Sequence, residues 1–146
     1  ISAAMALSAA QLSFDLTLEF VKERKVFGKS LAGFQNTQFK LAELRAELDV
    51  AQIFIDQCVS AHSARQLTSV DAAKAKLLCS ELQVSAADLG VQLHGGAGYM
   101  DEYPISRQYT DARIAPIYAG ASEIMKLLIS RDFLSDSFSP FGIKNF

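Results

Sequence analysis

Residues 92–129 read QLHGGAGYMDEYPISRQYTDARIAPIYAGASEIMKLLI, and the punctuation of this stretch decides the fold. Gly95, Gly96 and Gly98 follow an amphipathic segment, which reads as a helix stopped by residues without a Cβ that can take left-handed backbone angles. A second bare point, Tyr118-Ala119-Gly120-Ala121-Ser122-Glu123, stands where a new helix begins. Each glycine point taken alone is an ordinary turn. Two of them beside helix ends would also let main-chain N–H groups approach a flat or phosphorylated ligand closely.

Working outward, the apolar spacing on both sides of this stretch is helical. Upstream, Thr68 or Ser69 caps a third helix with Asp71 in its first turn, and its seam is Ala72, Ala75, Cys79, Leu82, Ala86, Leu89 and Leu93. Within the stretch, Pro104 to Arg113 forms a short fourth helix with proline in its first turn. Downstream, the last helix runs from about Ala119 to Leu134 with Ile124, Leu127 and Leu128 inward.

Nearer the N-terminus, Leu41, Leu44, Leu48, Ala51, Ile55 and Cys58 step by three and four along a second helix from about Phe34 to Ala64. The first helix, Ile1 to about Arg24, carries two apolar rows, which predicts neighbours on two sides: Leu7, Ala10, Phe14, Leu18, Val21 and Met5, Ala9, Leu12, Leu16, Phe20. Cations and Gly28 end it, with Arg24 placed to offset the helix dipole. Strand alternation is absent. The reading is an all-α, up-down helical bundle over residues 1–135, followed by an irregular tail at 136–146. Because Ile1 falls inside the first helical pattern with no cap before it, the chain reads as a piece of a longer one.

Composition narrows the function. A net charge of -2 provides no basic field for nucleic acid. No run of apolar residues is long enough for a transmembrane segment. Cys58 and Cys79 lack metal-ligand spacing and read as small core residues in a reducing compartment. Nucleotide-binding P-loop, HExxH and GxSxG patterns are all missing, and two histidines cannot build a histidine-rich metal site. His62 reads as a surface residue, and His94 as a hydrogen-bonded structural one. Asp101, Glu102, Arg107, Asp111 and Arg113 read as an ion network around the fourth helix.

What remains is an ordered set of four runs: ERKVFGKSLAGFQ, QLHGGAGY, DEYP with RQYTDARI, and IYAGASEI followed by ISR. In order and separation this set resembles the C-terminal helical domain of acyl-CoA dehydrogenases, over about Leu7 to Arg131, and its wording is similar to that of the long-chain subtype. The resemblance implies a flavoprotein of fatty-acid or branched-chain acyl metabolism that removes hydrogens from the α and β carbons of an acyl-CoA thioester. It further implies N-terminal and middle domains absent from this chain, assembly as a homotetramer, an electron-accepting flavoprotein partner, and a bacterial cytoplasm or mitochondrial matrix as location.

Carried over by motif, Arg24, Phe27 and Gln35 would contact the adenosine and pyrophosphate end of FAD. Gln92, Leu93, His94, Gly95 and Gly96 would form the other half of that nest, and Ala121, Ser122 and Glu123 would lie on the flavin side. Threonine is commoner in the family at Ala121, and occurs in some members at Val26, so two hydroxyl bonds are lost here. Tyr118 and Gly120 would line the thioester site. Many members carry at Ala119 the glutamate that removes the α-proton, and alanine cannot accept one. The resemblance then puts the base just upstream of Ile1. With Ala119 already helical, Glu123 lies one turn on, ~6 Å along the axis, and points near the flavin rather than at the α-carbon, so this chain holds no catalytic residue and is expected to be inactive by itself. Two other readings stand beside it: a flavin oxidase or monooxygenase on the same scaffold, and a non-catalytic helical oligomerisation module.

Overall fold

The computed structural model describes residues 1–135; the tail expected at 136–146 lies outside the described residues. Five helices account for most of the chain: α1 (Ser2–Glu23), α2 (Gln35–Ser63), α3 (Ser69–His94), α4 (Pro104–Ala112) and α5 (Ser122–Phe133). Helices α1 to α3 form the up-down-up body. Lys40 and Gln92 share one cleft between α2 and α3 with Glu47 and Ser85 farther along it, so these two helices run antiparallel.

The α2 seam is buried as its spacing demands: Leu41, Leu44, Leu48, Ala51, Ile55 and Cys58 all enter the core, with Leu7, Ala10, Phe14 and Val21 of α1 and Ala75, Cys79, Leu82 and Ala86 of α3. Side chains as fully enclosed as Leu48 and Val21 contribute about 1.5–3 kcal/mol each by leaving water. Thr68 caps α3: its Oγ1 accepts from the Asp71 N–H at 3.0 Å and donates to the Asp71 carboxylate at 2.7 Å. Pro104 opens α4, where its missing N–H costs nothing.

Helix α3 is the hub and packs against the other four helices. It therefore buries a second stripe, Ala73, Lys76, Ser80, Gln83, Ala87, Gly90 and His94, which the apolar pattern does not mark. The expected seam residue Ala72 is exposed; Ala73 is buried instead.

Three further expectations are corrected. The second row of α1 is only partly covered, with Met5 and Leu12 exposed. Helix α5 starts at Ser122, not Ala119, and turns Ser122 and Met125 inward while Ile124, Leu127 and Leu128 stay exposed. It packs chiefly on α3, so one narrow face suffices. Finally, the α1 exit is not a simple glycine stop. Lys25–Val26 (β1) and Lys29–Ser30 (β2) pair antiparallel across Phe27 and Gly28, a ladder too short to show alternation.

Candidate functional site

The first cluster lies where α1 and α3 both end. Arg24 is the extended C-cap of α1; its N–H bonds the Phe20 carbonyl and its own carbonyl accepts from Leu31 N–H, each at 2.8 Å. That fixes the backbone and leaves the guanidinium side chain exposed. Ser30 Oγ ties the hairpin back by donating to the Val21 and Lys22 carbonyls at 2.8 and 3.0 Å. Phe27 and Gly28 have φ of +48° and +81°, the two positive values a type I′ hairpin turn requires. Phenylalanine is poorly suited there, and its ring is 97% exposed. Gln35 begins α2 and is exposed.

At the end of α3, Gln92 is exposed, Leu93 half-buried and His94 buried, while Gly95 and Gly96 are exposed. The His94 ring stacks on Phe20 with centroids 4.0 Å apart, and Tyr103 meets both rings edge-on at 6.2 and 6.3 Å. His94 Nδ1–H donates to the Gly90 carbonyl at 2.7 Å, which leaves Nε2 as the acceptor of a neutral ring. Burial holds its pKa below the usual 6.5, opposed by the Gly90 bond. His94 is thus the hydrogen-bonded structural histidine expected. The stack puts the α1 exit, with Arg24 four residues beyond Phe20, and the α3 exit, with Gly95 the residue after His94, at the same end of the bundle. Phe20, Tyr103 and Ser30 are the residues sequence reasoning missed. Only the regular placement of Phe20 one turn before Arg24 hinted at a role.

The second cluster is the entrance to α5. Tyr118 is exposed, Gly120 and Ala121 are half-buried, and Ala119 and Gly120 have φ of +54° and +105°. Ala119 is thus not helical, and Glu123 is not one helical turn beyond it. The Ser122 N–H bonds the Pro116 carbonyl at 2.9 Å; its Oγ is buried without a hydrogen-bond partner. Exposed Glu123 joins Ala121 and Ser122 on a cleft of about 470 Å³, whose far wall includes Glu81 and Val84 of α3.

The two clusters are separate. From Val84 to Gly95 is about 16 Å along the α3 axis, so the bare-backbone points do not form one cradle. The ion network expected around α4 is also absent among the described residues: Arg107 donates to the Asp101 carbonyl oxygen, and the ion pairs lie elsewhere. His62 is exposed, and Cys58 and Cys79 are buried thiols, with burial pushing Cys79 up to about 11. No helix among the described residues is long and apolar enough to cross a membrane.

Residues 1–134 match the family described as "Acyl-CoA dehydrogenase, C-terminal domain". The chain is 50% identical over 135 residues to the mitochondrial long-chain specific acyl-CoA dehydrogenase of Mus musculus, a match covering 92% of this chain and 31% of that protein. Its fold is similar to the crystal structure of acyl-CoA dehydrogenase from Geobacillus kaustophilus, with a TM-score of 0.90 and 39% identity over 92% of this chain and 35% of that one. A structure described as the FAD complex of PigA aligns with a TM-score of 0.83 and 26% identity, over 88% of this chain and 34% of that one. The chain spans about a third of the length of the relatives it matches.

Proposed function

The chain belongs to the acyl-CoA dehydrogenase family as its C-terminal domain, and on that premise we propose that it forms one wall of the FAD and acyl-CoA sites of an enzyme that dehydrogenates an acyl-CoA thioester between its α and β carbons. The observation that carries this reading is the Phe20–His94 stack, which brings the Arg24 exit and the Gly95-Gly96 exit together at one end of the bundle. A guanidinium at the same end of the bundle as exposed, side-chain-free backbone is suited to a pyrophosphate, which it can bond in bidentate fashion. Residues present fit the cofactor on two further counts. A Cβ built on Gly95 or Gly96 meets nothing within 4 Å, which leaves open space over that backbone. Ser122 Oγ waits for a polar partner at the other cluster.

In this assignment Arg24, Phe27 and Gln35 hold the adenosine and pyrophosphate end together with Gln92, Leu93, His94, Gly95 and Gly96. Ala121, Ser122 and Glu123 lie on the flavin side, and Tyr118 and Gly120 border the thioester. When bound, FAD would supply the hydride acceptor. Ala119 cannot hold the α-proton, so we place the base outside this chain, upstream of Ile1. We assign the remaining contacts to N-terminal and middle domains such as would fill the other two-thirds of the relatives' length, and expect this chain alone to be inactive.

A homotetramer, an electron-accepting flavoprotein partner and a mitochondrial matrix or bacterial cytoplasm complete the proposal. Exposed Phe39, Val50 and Ile53 along α2 support association.

The test is flavin bleaching in the complete protein. Adding a series of acyl-CoA thioesters anaerobically is expected to abolish the oxidised flavin absorbance for at least one chain length; no bleaching with any of them would overturn the reading. The alanine at 119 favours one second reading, a flavin oxidase or monooxygenase, which rapid oxygen consumption by the reduced protein would support.

Phe27 gives a separate expectation. A left-handed residue with a Cβ costs about 1 kcal/mol relative to glycine, so Phe27→Gly is expected to raise the thermal midpoint. If the exposed ring covers the adenosine end, the same change weakens FAD binding by up to about tenfold. Unchanged FAD retention would remove Phe27 from the site.

A further inference from the structure

Residues 95–102 leave the end of α3 and return to the start of α4, and the two side chains that bracket them, His94 and Tyr103, both rest on Phe20 of α1. The imidazole lies flat on the Phe20 ring, with 4.0 Å between centroids and 22° between planes. Tyr103 stands edge-on to both, at 85° to Phe20 and 73° to His94. Between these rings the segment makes few bonds of its own. Met100 N–H donates to the Ala97 carbonyl at 3.2 Å, Tyr103 N–H to the Met100 carbonyl at 3.0 Å, and Arg107 to the Asp101 carbonyl. Gly98 is its buried point, and Gly95 and Gly96 lie in its exposed part.

Phe20 also fixes the other exit, because its carbonyl accepts from the Arg24 N–H at 2.8 Å. Its ring is only half-buried, whereas Phe14 on the same helix is 7% exposed and belongs to the core. We propose that Phe20 is a positioning residue for the dinucleotide: its ring clamps both ends of the 95–102 segment, His94 by the face and Tyr103 by the edge, and so holds the Gly95-Gly96 backbone where it can meet the phosphates. An aromatic pair of this kind shifts an equilibrium by about two- to tenfold, and Phe20 makes two. Without them, a segment in its binding position about a tenth of the time holds its ligand about tenfold more weakly. Phe20 acts through the segment and not by touching the cofactor, and the inference rests on the assignment of Gly95 and Gly96 to FAD.

Paired substitutions in the complete protein test the clamp. Phe20→Leu is expected to raise the FAD dissociation constant about tenfold, and Phe20→Tyr, which keeps the ring, to retain the parent affinity. Phe14→Leu cuts deeper into the same helix, so it should lower the thermal midpoint more and leave FAD affinity unchanged. Amide exchange in the FAD-free protein is the second readout: in Phe20→Leu the Met100 and Tyr103 amides are expected to exchange about tenfold faster while the Leu48 amide of α2 does not change. Unchanged affinity in Phe20→Leu, or an equal loss in Phe20→Tyr or Phe14→Leu, overturns the proposal. Should Phe20→Leu not fold, Tyr103→Leu decides at the more exposed ring, with the same loss expected and an unchanged affinity overturning the clamp. Gly96→Ala separates the inference from the assignment beneath it. If Gly96→Ala weakens FAD binding and Phe20→Leu does not, the clamp falls and the cofactor assignment stands. If exchange accelerates in Phe20→Leu while neither variant alters FAD binding, the cofactor assignment falls and the positioning role falls with it.

Discussion

Gly90→Leu is expected to destabilise the protein by about 3 kcal/mol, at the upper end of what overpacking a core costs. Gly90 lies in the interior of α3, where the residue has an ordinary helical backbone and no conformational need for glycine. Space, not φ, is what it supplies. A Cβ at this position would stand 2.5 Å from Ile105 Cδ1, 2.8 Å from Ile105 Cγ1 and 2.8 Å from Thr17 Oγ1. Ile105 and Thr17 are themselves almost wholly enclosed, and Thr17 Oγ1 is held by donating to the Ser13 carbonyl at 2.7 Å. Three helices therefore touch through one missing methyl group.

Gly90→Ala sets helix propensity, which favours alanine by about 1 kcal/mol, against that crowding. A net loss of about 1 kcal/mol is expected, partly relieved by Ile105→Val because the nearest atom is the far end of the isoleucine. Urea unfolding measures each of these. A Gly90→Leu protein with an unchanged midpoint would show that α1, α3 and α4 do not meet as described. Since the Gly90 carbonyl accepts from His94 Nδ1, a displaced α3 would also loosen the ring that joins the two helix exits.

How much of this was legible in the sequence depends on what each helix packs against. Leu41 to Cys58 declared themselves because α2 buries one stripe of large residues, and steps of three and four identify such a stripe without ambiguity. Helix α3 hid half its packing. Its second stripe is built from Lys76, Ser80, Gln83, Gly90 and His94, residue types that usually mark a solvated face, so hydrophobic spacing passed over the surface that seats α4 and α5. In α5 the apolar residues Ile124, Leu127 and Leu128 outvoted Met125, yet short α5 has one main neighbour and its buried face is set by the turn that delivers it.

The candidate residues were legible mainly through their motif order. Spacing cannot reveal that Phe20 and His94, far apart in the chain, stack face to face. It was equally silent on the Ser122 hydroxyl being buried without a hydrogen-bond partner. The left-handed turn at Ala119 and Gly120 leads directly into that position.

Two neighbouring glycines allow the nucleotide assignment to be separated from folding. A Cβ on Gly98 would lie 2.7 Å from the Val91 carbonyl oxygen, 2.9 Å from Val91 Cα and 2.8 Å from His94 Cβ. Two of these atoms are backbone and cannot rotate away, so Gly98→Ala is expected to cost about 2–3 kcal/mol and to displace the turn that carries Gly95 and Gly96. Gly96 is the contrasting case: its φ is not positive, and an added methyl group meets nothing within 4 Å. Gly96→Ala should therefore leave the unfolding midpoint within about 0.5 kcal/mol of the parent value, as for other surface substitutions.

The same methyl group would occupy the space assigned to the dinucleotide. In the complete protein, Gly96→Ala is expected to weaken FAD binding at least tenfold, equivalent to about 1.4 kcal/mol, because the backbone can no longer approach the pyrophosphate closely. Equilibrium titration followed by flavin fluorescence measures this beside the urea midpoint. Weak binding with intact stability places the cofactor over this backbone. Unchanged binding at Gly96, with losses at Gly98 alone, would mean that the turn serves packing only, and that the Arg24 guanidinium faces something other than the phosphates of FAD.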